Sequence, residues 1–104
     1  MKIVIHPDYG GFYLTSEQIK LARQISGNSR WTGVTDDELV RCNVHFIDIE
    51  RTDPILVQAV EEHPNVFNRM EVVDIPKGER YRINEYDGAE EVEILRPENW
   101  LVAT

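Results

Sequence analysis

Tyr81-Arg82-Ile83-Asn84-Glu85-Tyr86-Asp87-Gly88-Ala89-Glu90-Glu91-Val92-Glu93-Ile94 is two strands and a turn written out in one run. Asp87-Gly88 is the dipeptide that a two-residue type I′ turn favours, because both central residues need positive φ. A two-residue turn fixes the register: Tyr86 opposes Ala89, Glu85 opposes Glu90, Ile83 opposes Val92, Arg82 opposes Glu93 and Tyr81 opposes Ile94. Side chains alternate between faces, so apolar pairs share one face and an Arg–Glu pair lies on the other. Glu85 against Glu90 breaks this order, since like charges directly opposite destabilise a ladder. Either both carboxylates splay into water at the tip, or a cation or polar group from another element meets them.

Working back from the hairpin, Met70 to Ile75 reads as a strand stopped by Pro76-Lys77-Gly78. Asp53 stands before Pro54 as an N-cap stands before a first-turn proline, and Leu56, Val57 and Val60 give the buried stripe of a helix ended by His63-Pro64. Val44 to Ile49 is rich in branched and aromatic residues and predicts a strand. Thr35-Asp36-Asp37-Glu38 is a capping box with Val34 stapling Leu39, opening a helix of little more than one turn before Asn43; Trp31-Thr32-Gly33 is loop. Thr15-Ser16-Glu17-Gln18 is a second box, with Leu14 and Ile19 as its staple. Ile19, Leu21, Ala22 and Ile25 then follow at helical spacing, and Gly27 supplies the left-handed stop. Ile3-Val4-Ile5 is a short apolar strand. These elements predict one α+β domain over residues 1–104: a mostly antiparallel sheet of about four or five strands with two main helices packed on one face.

The chain's 104 residues are enough for one modest core without disulfides, and the single Cys42 cannot form an internal one. Met1-Lys2-Ile3-Val4-Ile5-His6 is too short an apolar run for a signal peptide, and no stretch approaches the roughly 20 apolar residues of a membrane span. The reading is a soluble intracellular protein without a membrane partner. A net charge of -8 disfavours duplex nucleic acid, whose non-specific affinity comes from cations neutralising phosphates. Eight of the eleven cations are nevertheless Arg, whose planar fork grips phosphate or carboxylate through two bonds.

His6-Pro7-Asp8-Tyr9-Gly10-Gly11-Phe12 leaves the first strand carrying acid/base, carboxylate and aromatic groups on a loop shaped by Pro7 and two glycines. His6 and Asp8 fit base and orienting carboxylate, yet no Ser or Cys nucleophile stands in a comparable motif. They equally fit a strand-end hydrogen bond and an Asx turn. A metal would recruit His6, Asp8, His45, His63 or Glu85 with Glu90, at spacings matching no compact ligand signature. No metal or cofactor is expected. Arg51 lies just before a helix N-terminus, where an anion is favoured, although pairing with Asp53 or Glu85 would occupy it. The aromatic cluster Tyr9, Phe12 and Tyr13 fits stacking on a base or ring, but alternation would equally send Phe12 into the core, leaving Tyr9 as the exposed one.

Four blocks together resemble a family of small uncharacterised proteins common in tailed bacteriophages: His6 to Phe12; Arg51-Thr52-Asp53-Pro54 with Leu56-Val57 and Val60-Glu61; Val72 to Pro76; and Glu85-Tyr86-Asp87-Gly88 with Glu90. Residues 27–49 depart from the family's pattern, and His63-Pro64 replaces its usual glycine. The resemblance implies a phage or phage-derived accessory protein and no established enzymatic activity, and the expected location is the host cytoplasm. In that setting the expectation is a non-enzymatic, anti-defence protein that sequesters a small nucleotide-like signal, working as a homo-oligomer. Its expected ligand-binding residues are His6, Asp8, Tyr9, Gly10, Gly11, Arg51, Asp53, Glu85, Tyr86 and Asp87. Arg51 or another Arg would hold phosphate, Tyr9 a ring, and Glu85 or Asp87 hydroxyls. The alternatives are an acidic inhibitor that engages a host protein or mimics nucleic acid, and a minor hydrolase. A continuous acidic stripe would favour mimicry, and acids spread over all faces would favour a pocket.

Overall fold

A computed structural model describes residues 1–8 and 10–95. Strand β1 (Lys2–Ile5) is the hub, because its alternation divides an all-apolar run between two layers. Val4 enters a core with Leu14, Ile19, Ala22, Leu56, Val60 and Phe67, while Ile3 and Ile5 join Ile75 on the other side. Being covered on both faces is what lets β1 be continuously apolar.

The helical layer forms as its caps dictate. Strand β2 (Leu14–Thr15) runs into helix α1 (Ser16–Ser26). The Gln18 amide N–H donates to Thr15 Oγ1 at 3.2 Å, and Gln18 Oε1 accepts the Thr15 N–H at 2.9 Å. Gln18 then reaches across with its Nε2 to the Val66 carbonyl at 3.0 Å, so the capping residue is also a tie to the chain beyond the third helix. Gly27 ends α1 at φ 72°. Helix α2 (Asp36–Arg41) forms half of its expected box: Thr35 Oγ1 accepts from the Glu38 amide, while Glu38 makes no return bond among the described residues. Helix α3 (Pro54–Glu62) starts at Asp53, which accepts from the Ile55 and Leu56 amides at 2.9 and 3.1 Å, and buries Leu56, Val57, Ala59 and Val60.

The strands depart from one continuous sheet. Strand β3 comprises only Val44–His45, paired with β2, and not the whole of Val44 to Ile49. Ile47 and Ile49 still lean on the core while Phe46, Asp48 and Glu50 face solvent, so the alternation read in the sequence is present without a partner strand to make a ladder. Strand β4 (Glu71–Asp74) pairs antiparallel with β1, Ile3 opposite Val73 and Val4 opposite Val72. Strands β5 (Arg80–Tyr86) and β6 (Ala89–Leu95) form the hairpin in the expected register, with Asp87 at φ 50° and Gly88 at φ 84°. The result is three two-stranded antiparallel sheets in place of one sheet of four or five strands. The reason lies in β1: Ile3 and Ile5 take Tyr81, Ile83, Val92 and Ile94 as side-chain neighbours, so the hairpin packs onto the β1–β4 ribbon instead of extending its ladder.

Candidate functional site

The separate sequence blocks meet where β1 ends. The His6 N–H donates to Glu90 Oε1 at 2.9 Å, and the His6 carbonyl accepts the Glu90 N–H at 2.8 Å. Past Pro7, the Gly10 N–H donates to the Asp87 carbonyl at 3.2 Å. Gly88 lies so close to the loop that a Cβ there would sit 2.1 Å from the Gly11 nitrogen and 2.8 Å from its Cα. The glycines of the loop and of the hairpin tip are therefore two sides of one backbone contact. Tyr9 lies outside the described residues.

Arg51 completes the junction. Its carbonyl accepts the Val4 N–H at 2.9 Å, and its guanidinium grips Glu90 through Nη1–Oε1 and Nη2–Oε2 at 2.5 and 2.8 Å, over the Phe12 ring at 3.7 Å. Its partner is thus Glu90, neither Asp53 nor Glu85. This explains the like-charged pair: Glu90 turns inward to Arg51 and is buried, while Glu85 remains exposed. Arg51 is fully engaged within the fold. Asp53 is engaged as well, because Oδ1 accepts the Trp31 Nε1–H at 3.2 Å in addition to the two helix amides. Asp8, Tyr86 and Asp87 are exposed, and the Asp8 carbonyl accepts from the His6 ring.

His6 carries the chemistry of interest. Its Nδ1 lies 3.0 Å from the Asp8 carbonyl oxygen, which can only accept, so Nδ1 bears a proton and in the neutral ring Nε2 is a bare acceptor. The residue is 1% exposed, and Nε2 has no protein partner among the described residues. It borders a cavity of about 280 Å³ lined also by Tyr13, Glu17, Gln18, Asn68 and Arg69. The Tyr13 ring stands 5.7 Å from the His6 ring and 5.7 Å from Phe46. Arg69 is exposed and makes no ion pair or hydrogen bond among the described residues. On the Pro7 side, a second cavity of about 410 Å³ is bounded by Asn84, Glu85, Tyr86, Glu90 and Glu91. The larger grooves, about 720 and 450 Å³, lie between α1 and α2 over Leu39 and Val40, away from the junction.

Tyr13, Glu17, Asn68 and Arg69 were not among the expected site residues. Tyr13 continues the aromatic run of the loop, which was its only sequence signal; Asn68 and Arg69 lie in an unpatterned turn between α3 and β4 and gave none. The perturbed ionisations lie elsewhere. The Asn84 amide and then the Arg82 guanidinium hold the Glu93 carboxyl below its usual range, on the hairpin's polar face. Glu61 raises Lys2 through a hydrogen bond and its charge.

One further pairing has the look of a catalytic dyad: Ser16 Oγ is 2.8 Å from His45 Nε2. A hydroxyl has a single proton, however, and Ser16 Oγ also lies 2.8 Å from the Leu39 carbonyl and 2.6 Å from the Cys42 carbonyl. That proton goes to the carbonyls at the end of α2, and the oxygen accepts from His45 Nε2–H, which makes the pair a helix-end brace and no activated nucleophile. Among the described residues, no three His, Cys, Asp or Glu side chains gather as metal ligands, and no helix is long and apolar enough to cross a membrane. Compared with protein-family models, curated proteins and solved structures, the chain finds no match in any of the three.

Proposed function

We propose that the protein is a non-enzymatic accessory protein of bacteriophage type that captures a small nucleotide-like signal in the host cytoplasm, in an anti-defence role. The observation that carries this reading is the meeting of the His6 loop, Arg51 and the hairpin tip at one junction bordered by two cavities. Ligand sites characteristically sit on loops held by a rigid scaffold. Here Arg51 and Asp53 act as that scaffold, and the groups left for a ligand are the His6 ring, Arg69, Tyr13 and the exposed Glu85, Tyr86 and Asp87. Ser16's engagement with carbonyls weighs against the hydrolase reading. Exposed acids occur on α1 (Glu17), α2 (Asp36, Asp37, Glu38), α3 (Glu61, Glu62), β4 (Glu71, Asp74) and the hairpin (Glu85, Asp87, Glu91). That spread favours a pocket over an acidic stripe built for mimicry.

Native mass spectrometry of protein purified from defence-activated cells reads the bound molecule and the assembly state together, with a homo-oligomer expected. A nucleotide panel at 100 times the dissociation constant stabilises the folded state by about 2.7 kcal/mol. Absence of both a bound molecule and any thermal shift would refute capture, and a pulldown would then test the host-protein alternative.

A further inference from the structure

We infer that the cavity bordered by His6, Tyr13, Glu17, Asn68 and Arg69 is a subsite for a phosphate monoester carried on a hydroxyl-bearing group, such as a sugar phosphate. This rests on the ligand-capture reading and assigns the anionic part of its ligand.

The argument starts from which guanidiniums are already spent. Arg23 holds the Trp31 and Val34 carbonyls, Arg41 pairs with Asp37, Arg51 with Glu90 and Arg82 with Glu93. Arg69 has no such partner among the described residues, and it borders a cavity lined also by the buried residue His6, whose Nε2 has no protein partner among the described residues. Arg30 borders a cavity too, but none of the buried polar residues lines it. A buried polar atom without a partner is costly, and no fully buried side-chain nitrogen or oxygen lacks one among the described residues. His6 borders the cavity and its Nε2 has no protein partner among the described residues, so a ligand or water held there can meet it.

The donor set suits a phosphate. The Arg69 fork can bind two of its oxygens, and the Tyr13 hydroxyl and Asn68 amide are further donors. Thr15, Glu17 and Gln18 at the start of the 11-residue helix α1 border the same space, at the positive end of its dipole. His6 Nε2, the acceptor of the set, takes the proton of a singly protonated phosphate, or carries that proton and donates it; in both cases ring and phosphate share one proton. Glu17 repels a bare anion but accepts from a hydroxyl, which favours an ester with a neighbouring hydroxyl over inorganic phosphate. At about 280 Å³ the space is at the lower edge of the roughly 300 Å³ where ligand pockets begin, so it holds a phosphate with its sugar and leaves a base outside.

The test uses the full chain with 15N-labelled histidine, titrated with AMP, ribose 5-phosphate, adenosine and inorganic phosphate while the His6 ring signals are followed. AMP and ribose 5-phosphate should move the Nε2 resonance, with adenosine and inorganic phosphate at least about 10-fold weaker, the loss of one charge-assisted contact. Arg69→Ala, at an exposed position, should leave the fold intact and weaken AMP about 10-fold, whereas Arg80→Ala on the hairpin should not. If AMP and adenosine bind equally, or Arg69→Ala leaves AMP unchanged, the subsite is wrong while nucleotide capture stands. If ribose 5-phosphate binds through Arg69 and AMP does not bind at all, the subsite stands and nucleotide capture falls. If none of the four binds, both are overturned.

Discussion

Replacing Gly88 with Ala tests whether the hairpin tip and the His6 loop truly share a backbone contact. Gly88 has φ 84°, where an L side chain costs roughly 1–2 kcal/mol. Its added Cβ would also sit 2.1 Å from the Gly11 nitrogen and 2.9 Å from the Gly10 carbonyl carbon, both backbone atoms that cannot swing aside. Overpacking of that kind adds about 1–3 kcal/mol, giving about 2–5 kcal/mol in all. Gly78 is the matched control: its φ is 87° and nothing lies within 4 Å of its would-be Cβ, so Gly78→Ala bears the conformational cost alone. Urea unfolding of both variants isolates the contact as their difference, about 1–3 kcal/mol. The molecule could relieve the clash by undocking the hairpin. In that event hydrogen exchange would show the Gly10 and Glu90 amides losing protection while the β5–β6 ladder keeps its own. If Gly88→Ala costs no more than Gly78→Ala and both amides remain protected, the junction described here does not exist.

Two other outcomes follow from the ion pairs. Arg51→Met strands the buried Glu90 carboxylate and should cost about 3 kcal/mol, the lower end for a buried pair because the Arg51 side chain is 22% exposed. Adding Glu90→Gln removes the charge but keeps an acceptor for the His6 N–H, so the double variant should recover at least about 1 kcal/mol; simple additivity in a urea double-mutant cycle would refute the coupling. The pH dependence has two arms of opposite sign. Glu93 is depressed in the folded state, so its contribution is present above the ordinary carboxylate range near ~4.3 and lost as pH falls through the lowered value. Lys2 is raised, so its contribution is complete below the ordinary lysine value near ~10.4 and lost as pH rises past the raised one. Glu93→Gln should flatten the acid limb of the urea midpoint against pH and Lys2→Met the alkaline limb; limbs unchanged in slope would contradict the assignment.

Local signals carried further than global ones here. The Asp87-Gly88 turn, the Thr15 box and the Asp53-Pro54 cap each specify structure within four residues, and each element they announce is present. How strands combine is not local. Ile3-Val4-Ile5 reads equally well as an interior strand of one sheet or as a ribbon sandwiched between helices and hairpin, and only the packing of Ile83 and Val92 on Ile3 and Ile5 decides. Val44 to Ile49 had the right alternation but no partner strand, and composition does not supply one. At the junction, the anomaly of Glu85 opposite Glu90 left two readings open, carboxylates splayed into water or a cation meeting them, and the structure divides them: Glu85 faces water and Glu90 meets a cation. That this cation is Arg51 depends on a contact spanning 39 residues. Arg69 and Asn68 were invisible because a single uncommitted side chain on an irregular turn has no pattern around it.

The division of labour at the junction separates structural from ligand-binding substitutions experimentally. Arg51, Glu90, Gly11 and Gly88 hold the strand exit, and with it the Nδ1–H bond to Asp8 that leaves Nε2 as an acceptor. Changing any of them should weaken ligand binding only as far as it loosens the hairpin, so affinity and amide protection would fall together. Arg69 makes no hydrogen bond or ion pair among the described residues. Its removal should lower affinity while urea stability and the Glu90 amide stay unchanged. Arg51 reads in the sequence as the more obvious phosphate ligand, standing before a helix, yet its carboxylate partner neutralises it. An anion placed there would compete with Glu90, two bonds already made at 2.5 and 2.8 Å, whereas at Arg69 it meets a cation with no partner to displace.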